Sequence, residues 1–241
     1  FLNLDVTPPP SLQIEYLSPD DSRLNVALAS TRALVIPAVG PVLPATLFEN
    51  SEIELVQVTG AGVDRLEKAG MRSLGIPVAN VAGGSNDAIA EFVVAGALTL
   101  LRRLSWADTE IREGRYAQAR EEMLTAKLRG VRGLTVGVVG MGTIGTAVAE
   151  TFSSLGATIV FFDPIVESHN IIDKIRATRL SLEELLSSAD IITLHLPLTD
   201  DTKNLIDREA LTHIKREAIL INASRGGIVD EAALATALSA G

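Results

Sequence analysis

The sequence predicts an α/β protein of two domains, each built on a parallel sheet covered by helices. Three observations lead there. Short β-rich runs alternate with helical runs from Ala33 nearly to the end of the chain. Hydrophobic residues make up 47% of the sequence but aromatics only 4%, so the cores are built from Val, Leu, Ile and Ala, a composition suited to strands buried on both faces. A long apolar helix interrupts the alternation once, and the alternation then restarts. Strands and helices alternating at this length imply right-handed crossovers. The 241 residues suffice for two cores, with domains expected at residues 1–104 and 105–241.

In the first part, Pro8-Pro9-Pro10 marks a loop and Leu12–Leu17 is a weak strand candidate. Residues 33–39 read as a strand, and 44–50 as a short helix with proline in its first turn. Residues 54–59 form the next predicted strand. A helix follows over 64–74, stopped by Gly75, and then a strand over 76–81. The apolar helix is predicted over 86–104, with Ser85 or Asn86 as N-cap. It has almost no polar face, so burial between domains or between subunits is expected. Residues 111–132 read as a charged, irregular connection. Beyond them come a strand at 134–139, a helix at 143–155 and a strand at 158–162. Ser181-Leu182-Glu183-Glu184 has the form of a capping box, in which hydroxyl and carboxylate satisfy free N–H groups reciprocally. Strands at 191–195 and 218–222, a helix at 207–215 and a last helix from Asp230 to Gly241 complete the prediction.

The run Leu134-Thr135-Val136-Gly137-Val138-Val139 feeds directly into Gly140-Met141-Gly142-Thr143-Ile144-Gly145. Glycines at these offsets are weak evidence alone, but here a strand precedes them and a helix follows. Gly140 allows the tight turn, Gly142 lets the backbone approach a pyrophosphate, and Gly145 lets helix and strand pack closely. Thr143 and Ile144 open the helix whose free N–H groups and dipole favour an anion. Asp163 lies 18 residues after Gly145, at the end of the next strand. Its carboxylate is expected to accept from both ribose hydroxyls and to repel a 2′-phosphate, and Pro164-Ile165 offers no base to offset that. This is a dinucleotide-binding pattern that favours NAD over NADP.

A formal net charge of −9 argues against nucleic acid as a partner. The absence of cysteine removes disulfides, thiolate nucleophiles and Cys-ligated zinc. The three histidines have no spacing suited to a metal: His169 reads as a loop residue and His213 as a surface helix residue. Phe1-Leu2-Asn3-Leu4-Asp5 lacks a basic region before an apolar run, so no signal peptide is expected. The longest apolar stretch, 92–101, is too short to span a bilayer, and a cytoplasmic location is expected.

Several further strings resemble the D-isomer-specific 2-hydroxyacid dehydrogenases, in family order from about Glu54 onward. They are Gln57-Val58-Thr59-Gly60-Ala61-Gly62-Val63-Asp64; Val78-Ala79-Asn80-Val81-Ala82-Gly83-Gly84-Ser85 with Ala90-Glu91; Ala189-Asp190-Ile191-Ile192-Thr193-Leu194-His195-Leu196-Pro197-Leu198-Thr199 continuing to Thr202; and Ile221-Asn222-Ala223-Ser224-Arg225-Gly226-Gly227-Ile228-Val229-Asp230-Glu231. The resemblance implies two Rossmann-like or flavodoxin-like parallel-sheet domains, the second an NAD-binding Rossmann domain. The implied activity is hydride transfer between nicotinamide and C2 of a D-2-hydroxy or 2-oxo acid, with D-3-phosphoglycerate as a candidate, and the implied assembly is a homodimer.

Roles follow residue by residue from the resemblance. Ala82, Gly83 and Gly84 would present N–H groups to the substrate carboxylate, and Arg225 would bind that carboxylate and the reacting oxygen. His195, Pro197 and Thr202 would line the cofactor, with Ala223 and Ser224 near the nicotinamide. Guanidinium suits a 2-oxo acid because its planar donors reach carboxylate and keto oxygen together. Ser85 departs from the family pattern, which often has Asn there. The family pairs its arginine with a glutamate and a histidine further along the chain than Gly241, so these residues are expected to be part of a longer enzyme, inactive alone. Two other readings stay open: an NAD(H)-sensing corepressor-type protein, and a formate or phosphonate dehydrogenase of the same fold.

Overall fold

The computed structural model describes residues 9–166 and 170–240. Contacts divide the chain into two compact units, one ending at Ala82 and one beginning at Gly83, whereas the sequence pattern put the division after Leu104. His169, Gly241 and the first eight residues, on which the sequence expectations also bore, lie outside the described residues.

The first unit contains α1 (Leu24–Ala29), β1 (Ala33–Ile36), a 3-10 turn (Ala45–Phe48), β2 (Leu55–Val58), α2 (Lys68–Ser73) and β3 (Val78–Ala79). The strands form a parallel sheet in the order β1-β2-β3, with Val35 beside Gln57 and Gln57 beside Ala79. Leu28, Ile36, Phe48, Val56, Val58 and Met71 form its core. Residues 12–17 are irregular rather than a strand. Predicted elements are shortened where prolines and turns intervene: Pro37 ends β1, and α2 starts only at Lys68. Arg65, expected inside that helix, is buried and donates from Nε to the Pro41 carbonyl and from Nη1 to the Pro37 carbonyl, both at 2.9 Å. It ties down the loop after β1.

The second unit opens with α3 (Asn86–Leu101), α4 (Leu104–Arg112) and α5 (Tyr116–Thr125). The long helix therefore ends three residues before the predicted 104. Ser85 stands at its N-cap, but no side chain makes a capping hydrogen bond there. Only Ala90, Val93 and Ala97 are buried on it, and Phe92 and Leu100 remain 66% and 59% exposed, so an apolar composition has not meant burial all round. The stretch expected to be an irregular connection is largely α4 and α5. Its charges are paired: Arg112 with Asp108 at 2.7 Å on the solvated face of α4, and Arg115, between the two helices, with Glu110 at 2.6 Å.

The remaining elements are β4 (Thr135–Val139), α6 (Thr143–Ser154), β5 (Thr158–Phe162), α7 (Asn170–Ile175), β6 (Thr178–Arg179), α8 (Leu182–Ser188), β7 (Ile191–Leu194), α9 (Arg208–His213), β8 (Ile219–Asn222) and α10 (Glu231–Ala240). The capping box forms as predicted: Ser181 Oγ accepts from the Glu184 N–H at 3.2 Å, and Glu184 accepts from the Ser181 N–H at 2.9 Å. All five strands are parallel, in the order β6-β5-β4-β7-β8. α3 packs along α6 on one face of the sheet, while α8 and α9 cover the other. Strand order reverses at β4, where a doubly wound sheet opens a crevice outside its carboxyl ends.

Candidate functional site

The glycine turn lies at that reversal, joining β4 to α6. Gly140 has φ +96°, and a Cβ there would stand 2.7 Å from the His195 carbonyl oxygen. Glycine is thus required twice, by conformation and by the close passage of the chain leaving β7. Gly145 is more crowded: a Cβ would lie 1.9 Å from the Gly140 oxygen. Gly142 is different. Its φ is an ordinary −71°, and nothing lies within 4 Å of where a Cβ would stand. The protein's own packing gives no reason for glycine there. Gly142 is also the N-cap of α6, and no side chain caps that helix, so Thr143 and Ile144 present its first N–H groups.

Asp163 follows β5 and is only 7% exposed. Its Oδ2 accepts from the Met141 N–H, and its Oδ1 from the Ile165 and Val166 N–H groups, each at 2.8 Å. Burial alone would raise its pKa. The three backbone donors, with a smaller contribution from the Arg179 charge, outweigh burial and hold it below the usual carboxylate range. Three of a carboxylate's roughly four lone-pair sites are engaged. From sequence, both ribose hydroxyls were assigned to this group, whereas in the structure it first fastens the glycine turn to the end of β5.

His195 follows β7 directly. Its Nε2 lies 2.8 Å from Oγ1 of the fully buried Thr193, and burial pushes its pKa down to about 4. It is neutral at pH 7. Thr202 closes the next loop, its Oγ1 donating to the Pro197 carbonyl at 2.6 Å and accepting from the Thr199 N–H at 2.8 Å. At the end of β8, Asn222 clamps the following turn. Its Oδ1 accepts from the Ser224 N–H and hydroxyl, and its Nδ2 donates to the Arg225 carbonyl at 2.7 Å. Arg225 Nη1 donates to the Ser224 carbonyl at 2.9 Å, and Gly227 has φ +79°. The turns carrying Gly140, Asp163, His195 and Arg225 thus emerge from one carboxyl edge, in the strand order β5-β4-β7-β8. The Ala82–Gly84 turn falls where the two units join, with Gly83 at φ +83°.

Sequence reasoning missed the clamp by Asn222, the fastening role of Asp163 and the nearness of Arg179 to it. Only Asn222 had a signal, an amide two residues before a turn-forming serine. Among the described residues no cluster of His, Cys, Asp and Glu could hold a metal.

Residues 94–241 match the sequence profile of the D-isomer specific 2-hydroxyacid dehydrogenase, NAD binding domain. The chain belongs to the D-isomer-specific 2-hydroxyacid dehydrogenase family. The matched residues are the NAD-binding domain of this dehydrogenase family, and the glycine turn, Asp163 and Arg225 all fall inside it. The open space at Gly142 and the uncapped start of α6 fit a pyrophosphate. The chain is 34% identical to D-3-phosphoglycerate dehydrogenase of Mycobacterium tuberculosis, over 92% of its own length and 41% of that protein's. It is also 34% identical to glycerate dehydrogenase of Methylorubrum extorquens, over 83% of this chain and 62% of the other. The chain therefore spans about two- to three-fifths of these relatives' lengths. Among solved structures, it superposes on D-lactate dehydrogenase from Aquifex aeolicus complexed with NAD and lactic acid (TM-score 0.81, 27% identity, 90% of this chain and 63% of that one). It superposes likewise on NAD-dependent formate dehydrogenase from Staphylococcus aureus in complex with NAD (TM-score 0.79, 29% identity, 93% and 66%). No helix among the described residues is long and apolar enough to cross a membrane.

Proposed function

We propose that the chain is part of an oxidoreductase that moves a hydride between NAD and C2 of a D-2-hydroxy acid or its 2-oxo counterpart. The observation that carries this reading is the placement of Arg225 on the same carboxyl edge as the glycine turn, two strands along the sheet. In this proposal the N–H groups of Thr143 and Ile144 take the pyrophosphate, Gly140, Gly142 and Gly145 make room for it, and Asp163 faces the adenosine ribose. His195, Pro197, Thr202, Ala223 and Ser224 line the nicotinamide end. Bound there, NAD accepts or donates the hydride. Arg225 binds the substrate carboxylate and polarises the C2 oxygen with the same planar fork, while Asn222 holds its turn. The Ala82–Gly84 turn offers backbone N–H groups to a substrate carboxylate. Burial holds His195 neutral near pH 7 and its Nε2 is engaged with Thr193, which favours a place in the cofactor wall over the role of proton donor.

We further propose a homodimer. Phe92, Leu100, Leu104, Ile111, Tyr116 and Leu124 stand exposed on α3, α4 and α5, a run of apolar surface of the kind a second copy covers. Turnover assays on the full-length gene product test the main reading. The panel includes D-3-phosphoglycerate, D-glycerate, D-lactate and formate, with 2-oxo acids for the reverse direction. NAD-dependent oxidation of at least one 2-hydroxy acid is expected. Tight NADH binding without any turnover would favour a sensor instead, and turnover of formate alone would favour a formate dehydrogenase.

A further inference from the structure

Arg179 lies on β6, the edge strand of the NAD-binding sheet, beside Phe161 of β5. Its Nη2 donates to the Asp163 carbonyl at 2.8 Å. The guanidinium therefore reaches past the end of β5 and stands at the carboxyl edge, next to the carboxylate that the proposed function places against the adenosine ribose. Sixteen residues separate the two in sequence, so inspection of the residues following Asp163 misses the cation. Two features weaken the repulsion that Asp163 alone would exert on a phosphate. Its carboxylate accepts three backbone N–H groups, and a positive charge stands beside it. Arg179 itself is exposed on the sheet edge, and a guanidinium carries five N–H donors in a fork that matches phosphate oxygens.

We propose that Arg179 is a second determinant of dinucleotide choice, supplying the cation that a 2′-phosphate meets and so granting the chain measurable NADP(H) binding beneath its preference for NAD(H). The inference rests on the reading that Asp163 faces the ribose. Asp163 sets the direction of the preference, and Arg179 limits its size.

The test is direct binding, by calorimetry or by quenching of protein fluorescence, with NADH, NADPH, 5′-AMP and 2′,5′-ADP as probes. Four proteins are compared: the full-length protein, Arg179→Ala, Asp163→Asn and the double variant. Arg179→Ala should weaken NADPH and 2′,5′-ADP by roughly five- to tenfold, the loss of one charge-assisted contact at an exposed site. NADH and 5′-AMP should stay within about twofold. Asp163→Asn should strengthen NADPH binding, and adding Arg179→Ala should cancel that gain. Arg179 is exposed on an edge strand, so its single variant remains informative even if Asp163→Asn folds poorly. Equal losses for both cofactors in Arg179→Ala would show that the arginine only supports the turn and would overturn the proposal, as would unchanged NADPH affinity. Failure of the unmodified protein to bind NADH would instead refute the ribose reading beneath it.

Discussion

Gly142 and Gly145 sit three residues apart in one motif, yet the structure separates their roles, and alanine at each should give opposite results. At Gly145 the new Cβ would lie 1.9 Å from the Gly140 oxygen and 3.2 Å from Val138 Cγ1. Turn and helix must part by about 1 Å, and overpacking of that kind costs about 1–3 kcal/mol. For a unit of this size that lowers Tm by roughly 2–12 °C. At Gly142 nothing lies within 4 Å and φ is −71°. The weaker N-cap preference of alanine costs less than about 1 kcal/mol, and the stiffer unfolded chain returns a similar amount. Gly142→Ala should therefore melt with the parent protein. The methyl would, however, occupy the open space through which a pyrophosphate approaches the Thr143 and Ile144 N–H groups. Losing one such hydrogen bond to a charged group costs about 1.5–3 kcal/mol, or roughly 10- to 150-fold in NADH affinity. Thermal melts paired with NADH titration decide it. Wild-type affinity in Gly142→Ala, or a melt several degrees lower with binding reduced only in proportion, would refute the assignment of this glycine to a ligand.

Three other outcomes follow from the same geometry. In the full-length enzyme, Arg225→Ala should cost about 2–5 kcal/mol in kcat/KM, roughly 30- to several-thousand-fold, with NADH affinity nearly unchanged. Arg225→Lys should also be damaging, because an ammonium cannot span carboxylate and keto oxygen; loss of cofactor binding in place of turnover would contradict the role. For His195, whose folded pKa of about 4 lies below its unfolded value near 6.5, the unfolded state binds the extra proton between those pH values. Stability should fall as pH drops through that window, by roughly 3–4 kcal/mol in total, and denaturant melts of His195→Gln should lack this part of the slope. A protein made only of residues 1–241 should bind NADH yet reduce 2-oxo acids very slowly, since His195 is held neutral and unable to give a proton near pH 7; single-turnover absorbance at 340 nm checks this, and brisk turnover would put the proton donor among these residues.

The parts of the fold legible in sequence were those governed by local rules. The glycine turn stood out because a buried strand runs into it and a helix leaves it. Ser181 and Glu184 announced their helix because a capping box is complete within four residues. Residues 111–132 mislead because their charges read as an irregular connection, although an ion pair such as Arg112 with Asp108 belongs to a solvated helix face, and residues 116–125 are helical as well. Residues 12–17 have strand-like composition, but a strand also needs a neighbour to pair with, which composition does not supply. At the site, the type and position of Asp163 were evident, while its three backbone donors depend on how the turn after β4 meets the end of β5. Arg179 was invisible for the same reason, since parallel pairing of β5 with β6 brings it alongside. The exposed side of α3 shows the converse: apolar composition marks surface that needs covering without naming what covers it.

The central claim is that the carboxyl edge of the five-stranded sheet holds NAD through the start of α6. A crystal structure of the protein grown with NADH tests it most directly. Pyrophosphate oxygens should lie within hydrogen-bonding distance of the Thr143 and Ile144 N–H groups, with the adenosine ribose against Asp163 and the nicotinamide toward His195 and Arg225. A dinucleotide bound elsewhere on the chain, or a pyrophosphate lying away from Gly142, would contradict it.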